Sequence, residues 1–144
     1  MEYKTHSLDE FSVEARRFAK SLTPGASAVV VALSGDLGAG KTTFVQTVAR
    51  EFGVEDQVAS PTFVIEKIYA CTQGLFMRLV HIDAYRLKGA HDLEVLGWKE
   101  IVEDPVNLIL IEWPENVGDA IPQDAIRVSI RGKDEERTIE YGKE

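Results

Sequence analysis

The sequence predicts an α/β fold, with a mixed, largely parallel sheet in one domain spanning residues 1–144. Three observations lead there. "SAVVVALSG" and "NLILIEW" are continuous apolar runs, as expected of strands covered by helices on both faces. A glycine-rich turn and a helical apolar stripe follow the first run. Near the C-terminal end, "AIRVSIRG" and "RTIEYG" alternate apolar and polar residues, the pattern of half-exposed antiparallel strands.

Taken in chain order, Ser7 with Glu10 three residues on has the form of a capping box. Phe11, Ala15, Phe18, Ala19 and Leu22 then recur at helical spacing until Pro24-Gly25 stops them. The run Ala28 to Leu33 predicts a buried strand. Phe44, Val45, Val48, Ala49 and Phe52 trace one helical stripe over Lys41 to Phe52, which Gly53 closes. "FVIEKIYA" and "LFMRLVHID" flank Thr72-Gln73-Gly74 and predict an antiparallel hairpin. Two short helices, about Asp92 to Leu96 and Lys99 to Val102, precede the buried strand "NLILIEW".

Composition narrows the function classes. No linker, repeat or low-complexity block divides the chain. No apolar run approaches a membrane span, and "MEYKTHSLDE" is too polar for a secretion signal. Cys71 stands alone, so it reads as a bystander thiol, and the expected location is cytoplasmic. The net charge of −8 disfavours tight, direct grip on RNA or DNA, because neutralising phosphates supplies most of that affinity.

Chemistry enters at "SGDLGAGKTTF", residues 34–44. Gly35, four residues, Gly40, Lys41 and Thr42 match G-x-x-x-x-G-K-[ST]. At ordinary usage of about 7% Gly, and shares of about 6% Lys and 12% Ser plus Thr, about 0.5% of chains this long match by chance. The strand before and the helix after are the setting that the mechanism needs. The loop's backbone N–H groups would cradle phosphate oxygens at a helix N-terminus. Lys41 would reach the β- and γ-phosphates, and the Thr42 hydroxyl would bind Mg²⁺. The fold class sharpens accordingly to a P-loop NTPase-like three-layer sandwich, its sheet extended by the antiparallel hairpin. A dinucleotide fingerprint is excluded, because these glycines run G-x-x-G-x-G.

Two predicted strands end in acids, Asp83 and Glu112. Ligands of open α/β sheets sit beyond those ends, so both carboxylates face the triphosphate, one on the metal and one orienting water. In "SPTF", Pro61 stiffens the loop and Thr62 is a third candidate, for the γ-phosphate or a metal-bound water. His81 alternates with inward apolar residues and reads as a satisfied structural histidine. Trp113-Pro114 reads as packing and a strand stop.

Together "GDLGAGKTTF", "SPTF", "HIDAYRL", "DLEVLGW" and "LIEWPE" resemble the TsaE (YjeE) family through nearly the whole chain. The resemblance implies a small ATPase, weak alone, that acts with TsaB and TsaD proteins. Its pathway installs the threonylcarbamoyl group on the adenosine beside the anticodon of tRNAs reading codons that begin with A. It implies ATP and Mg²⁺ as cofactors, and tRNA contact only through the complex. Gly38, Ala39, Gly40, Lys41, Thr42 and Thr43 would then contact the phosphates. Thr42, Glu112 and Asp83 would lie at the metal, Asp83, Glu112 and Thr62 at the chemistry, and Trp113 beside the nucleotide. Members often carry a threonine in the N-terminal segment near the base, where this chain has Phe11. Two rivals use a similar loop. A small-molecule kinase needs an arginine-bearing lid, and "AHDLEVLGWKE" holds none. A GTP-driven switch reads guanine through Asn-Lys-x-Asp, which is missing from the sequence.

Overall fold

The computed structural model describes residues 1–36, 38–55 and 65–143. Strand β1 (Glu2–Thr5) opens the chain and was not foreseen from the sequence. Helix α1 (Leu8–Ser21) starts at Ser7, whose side chain accepts from the Glu10 amide. The Glu10 carboxylate reaches back one residue further than a capping box requires, accepting from the His6 amide at 2.9 Å. Strand β2 (Val29–Ser34) runs through the loop into α2 (Lys41–Glu51). Strands β3 (Glu66–Ala70) and β4 (Arg78–Asp83) form the expected hairpin. The short helices are α3 (Ala90–Val95) and α4 (Trp98–Glu103), followed by β5 (Asn107–Glu112) and two 3-10 turns. Strands β6 (Ile126–Lys133) and β7 (Glu136–Lys143) finish the chain as an antiparallel pair.

The seven strands make one sheet in the order β1-β7-β6-β2-β5-β4-β3. Strands β6, β2, β5 and β4 are mutually parallel, and β7 and β3 run against them. β1, antiparallel to β7, points the same way as the central four. The parallel centre explains the unbroken apolar runs, since β2 and β5 are buried on both faces.

Alternate side chains of these strands feed two cores. Val31, Leu33, Leu79, Leu108 and Leu110 pack beneath α1 and α2, with Phe18 and Phe44. Val30, Ala32, Val80, Ile82, Ile109 and Ile111 pack against α3 and α4, with Leu93 and Trp98. The result is a three-layer α/β/α sandwich. No helix among the described residues is long and apolar enough to cross a membrane. Cys71 is a free thiol that burial pushes up from its ordinary pKa, in keeping with a bystander.

Candidate functional site

The site forms where β2 lies between β5 and β6, at the C-terminal ends of the parallel strands. In open α/β sheets this crevice is where ligands bind. The turn that leaves β2 must pass close to β6. At Gly35 (φ 153°) an added Cβ would lie 2.5 Å from the Ile130 carbonyl oxygen, so only glycine fits. Gly40 (φ 112°) caps α2, with the end of the Phe11 ring 3.3 Å from where its Cβ would be. Phe11 itself is buried edge-on against Phe44, so it is a core residue beneath the loop. The first turn of α2 carries no acid and, among the described residues, no side chain caps it. Its N–H groups and the positive end of the helix dipole therefore remain available to an anion.

Lys41 is only 5% exposed. Its Nζ donates to the Gly35 carbonyl oxygen and sits 3.8 Å from the centre of the Trp113 ring. Burial lowers its pKa, a shift opposed by Glu112, Glu115, Asp83 and Asp36. Thr42 and Thr43 follow on the same turn, half-buried, and the Thr47 hydroxyl ties down the Thr43 carbonyl at 2.8 Å.

Asp83 and Glu112 are register partners at the ends of adjacent parallel strands. Burial raises the Asp83 pKa first; the hydrogen bond from the Tyr85 amide to its Oδ1 opposes the shift and the nearby Glu112 adds to it. Glu112 is 3% exposed. Two acids forced side by side at the mouth of a crevice are a natural seat for a cation. Among the described residues no cluster of three or more His, Cys, Asp or Glu is assembled to hold a metal by itself. Mg²⁺ beside a polyphosphate needs no such cage, since one or two carboxylates suffice when phosphate oxygens and water complete the shell. The donor set of Thr42, Glu112 and Asp83 fits that chemistry.

Trp113 packs against the second core, as expected, but its backbone and ring contacts go beyond packing. Its φ of 57° is left-handed, which costs a non-glycine residue about 1–3 kcal/mol and clusters at functional sites. The conformation turns its ring toward Lys41 and toward Tyr85, whose ring centre is 5.1 Å away. Behind it, the Asn116 amide donates to the Ala84 and Tyr85 carbonyls at 3.0 and 3.1 Å. That bracket joins the turn after β5 to the turn after β4 and so fixes the two acids relative to each other.

One residue and one contact escaped the sequence reading. Asn116 gave no signal before the fold was known. His81 is fully buried as expected, but its Nε2 lies 2.6 Å from Glu112 Oε2, while no partner for Nδ1 is found among the described residues. The structure thus gathers Lys41, Asp83, Glu112 and Trp113, with Thr42 on the loop helix. Thr62 and the rest of "SPTF" lie outside the described residues, as does Leu37. A cavity of about 670 Å³, lined by Phe18, Leu22, Ala28, Ile126 and Tyr141 among others, opens at the N-terminal ends of β2 and β6. It is at the opposite end of the sheet and takes no part in this site.

Fold and site define an α/β protein that carries a phosphate-loop motif at the C-terminal edge of its sheet. Residues 5–139 match the family described as Threonylcarbamoyl adenosine biosynthesis protein TsaE. Relatives named tRNA threonylcarbamoyladenosine biosynthesis protein TsaE include one from Streptomyces coelicolor, 41% identical across 80% of this chain and 74% of its own. Another, from Bacillus subtilis, is 34% identical across 98% of this chain and 84% of its own. The crystal structure of YdiB from Bacillus subtilis superposes with a TM-score of 0.77 at 31% identity, covering 98% of this chain and 83% of that one. The chain belongs to the TsaE family.

Proposed function

We propose that this protein is a Mg²⁺-dependent ATPase of tRNA threonylcarbamoyladenosine biosynthesis, working in the cytoplasm with TsaB and TsaD proteins. One observation carries the reading. An uncapped helix N-terminus with a buried lysine faces two adjacent strand-end acids across the crevice beside β2. The positive elements suit a polyphosphate, and the paired acids suit the cation that accompanies it.

In this reading, backbone amides of residues 38–43 bind the phosphates, and Lys41 leaves the Gly35 carbonyl for the terminal ones. Thr42 and Glu112 would hold the Mg²⁺, which would supply neutralisation of the phosphate charge. Asp83 accepts a hydrogen bond from the attacking water and orients it. Trp113 covers the lysine and closes one side of the site. Thr62 completes it from its loop. Positioning and charge are all that the protein needs to supply to phosphoryl transfer to water. The acidic chain leaves tRNA to its partners.

The test is reconstitution with TsaB and TsaD, following phosphate release and the modification of tRNA. ATP hydrolysis should be slow alone, rise in the complex, and support repeated rounds of modification. An ATPase rate indifferent to the partners, a preference for GTP, or a phosphorylated metabolite would each overturn the reading.

A further inference from the structure

Glu112 ends a strand, and a glutamate there has three side-chain torsions to fix before its carboxylate can serve a cation. His81 lies two residues before Asp83 on β4, so the two side chains share a face of the sheet. Its register partner is Leu110, two residues before Glu112, which places the imidazole diagonally beneath the carboxylate. The contact is 2.6 Å from Nε2 to Oε2, with both side chains shut off from solvent. An ionised carboxylate only accepts, so the hydrogen lies on Nε2 and the imidazole donates.

Stability does not account for this pair. Burying an imidazole and a carboxylate among Leu79, Leu108 and Leu110 is no better for folding than a well-packed apolar pair would be. Orientation does account for it. One oxygen of Glu112, Oε2, is held by His81, which leaves Oε1 as the oxygen available to a cation.

We infer that His81 is a positioning residue for Glu112, its Nε2–H locking Oε2 so that Oε1 is presented to the divalent cation. The inference rests on the reading of Glu112 as an Mg²⁺-holding residue. It assigns His81 a role through Glu112, without contact to nucleotide or water.

The experiment titrates ATP into the purified protein across a range of Mg²⁺ concentrations and records the Mg²⁺ midpoint for tight binding. Partners that orient metal-holding side chains typically contribute about 10–100-fold to metal affinity. His81→Leu should therefore raise the midpoint by at least about tenfold, with ATP affinity in the absence of Mg²⁺ kept within about twofold. His81→Gln, whose amide nitrogen can stand near Nε2, should restore the midpoint. In a Glu112→Ala background, His81→Leu should shift nothing further. An unchanged midpoint in His81→Leu, or an equal shift with and without Glu112, would overturn the inference. Should His81→Leu fail to fold, His81→Asn decides against His81→Gln. Its shorter amide cannot reach Oε2, so matching midpoints for the two would overturn the inference. Wild-type protein whose ATP affinity ignores Mg²⁺ would instead sink the parent reading and this one with it.

Discussion

Lys41 shows how a buried charge can be kept ready for a ligand. Its ammonium is held by a carbonyl and a ring face rather than by a carboxylate, and burial lowers its pKa. An anion that replaces the Gly35 carbonyl would gain an ordinary charge-assisted hydrogen bond, worth about 1.5–3 kcal/mol. Lys41→Ala should therefore weaken ATP binding by about 10- to 150-fold, measured by calorimetry. Thermal unfolding without nucleotide should not fall, since the substitution also removes a desolvated charge. Glu66 offers the acid counterpart. Its Oε2 is buried without a hydrogen-bond partner among the described residues, and burial raises its pKa. With the folded value above the unfolded one, the folded state binds the extra proton, so stability falls as pH rises from about 4.5 through the folded pKa. Glu66→Gln should stabilise the protein at pH 7 by on the order of 0.5–1 kcal/mol, a gain that disappears below about pH 4.5. Chemical unfolding at the two pH values checks it. Lys41, Asp83 and Glu112 were legible in the sequence because each occupies a place defined by its own element, a loop or a strand end. His81 was read only as a structural residue because its partner lies 31 positions away, and no local pattern announces a contact across two strands.

The loop and its flanking elements depend on how closely β2 and β6 approach. Gly35 and Gly40 both have positive φ, yet they meet different neighbours. A Cβ on Gly35 would press on a backbone carbonyl of β6, which the sheet ladder holds in place. A Cβ on Gly40 would press on the end of the Phe11 ring, which can give by a few tenths of an ångström. Gly35→Ala should therefore cost about 2–4 kcal/mol, backbone strain plus overpacking, and lower Tm by roughly 4–16 °C. Gly40→Ala should cost only the conformational strain, about 1–3 kcal/mol. Differential scanning calorimetry of the two variants gives the order directly, and a smaller loss at Gly35 would contradict the packing described here. Long helices and doubly buried strands were readable because their periodicity is internal. The ends of α3 and α4 were not, because two helices this short are set by neighbouring turns at Gly89 and Gly97 rather than by a stripe of their own.

One side of the sheet is built by pairing its first strand with its last, a feature no stretch of sequence discloses. β1 has only four residues, too few for alternation to stand out, and its ladder comes from β7 at the other end of the chain. The same limit hid the strand order, since the sequence shows that β6 is a strand but not that it lies against β2. Once paired, β1 covers part of β7 and replaces that eight-residue edge with a four-residue one. Tyr3 packs its ring against Tyr141 at 5.7 Å, Arg17 lies 4.7 Å from the Tyr3 ring, and Glu2 binds Arg131 at 2.8 Å. Beneath them Glu14, on α1, accepts from Arg17 and from the Tyr141 hydroxyl, each at 2.6 Å, which stitches helix to strand. Deleting residues 1–6 leaves the Ser7 cap but removes the β1–β7 ladder and bares β7. An unpaired strand edge is a template for other chains. The truncated protein should lose about 2–4 kcal/mol of stability, on the scale of a short strand's packing, and should self-associate as concentration rises. ATP affinity should stay within about threefold, because β2, β4 and β5 build the site without β1. Denaturant unfolding and sedimentation velocity read the first two effects and calorimetry the third. A truncated chain that remained monomeric at full stability would mean that β1 adds nothing to the sheet it completes.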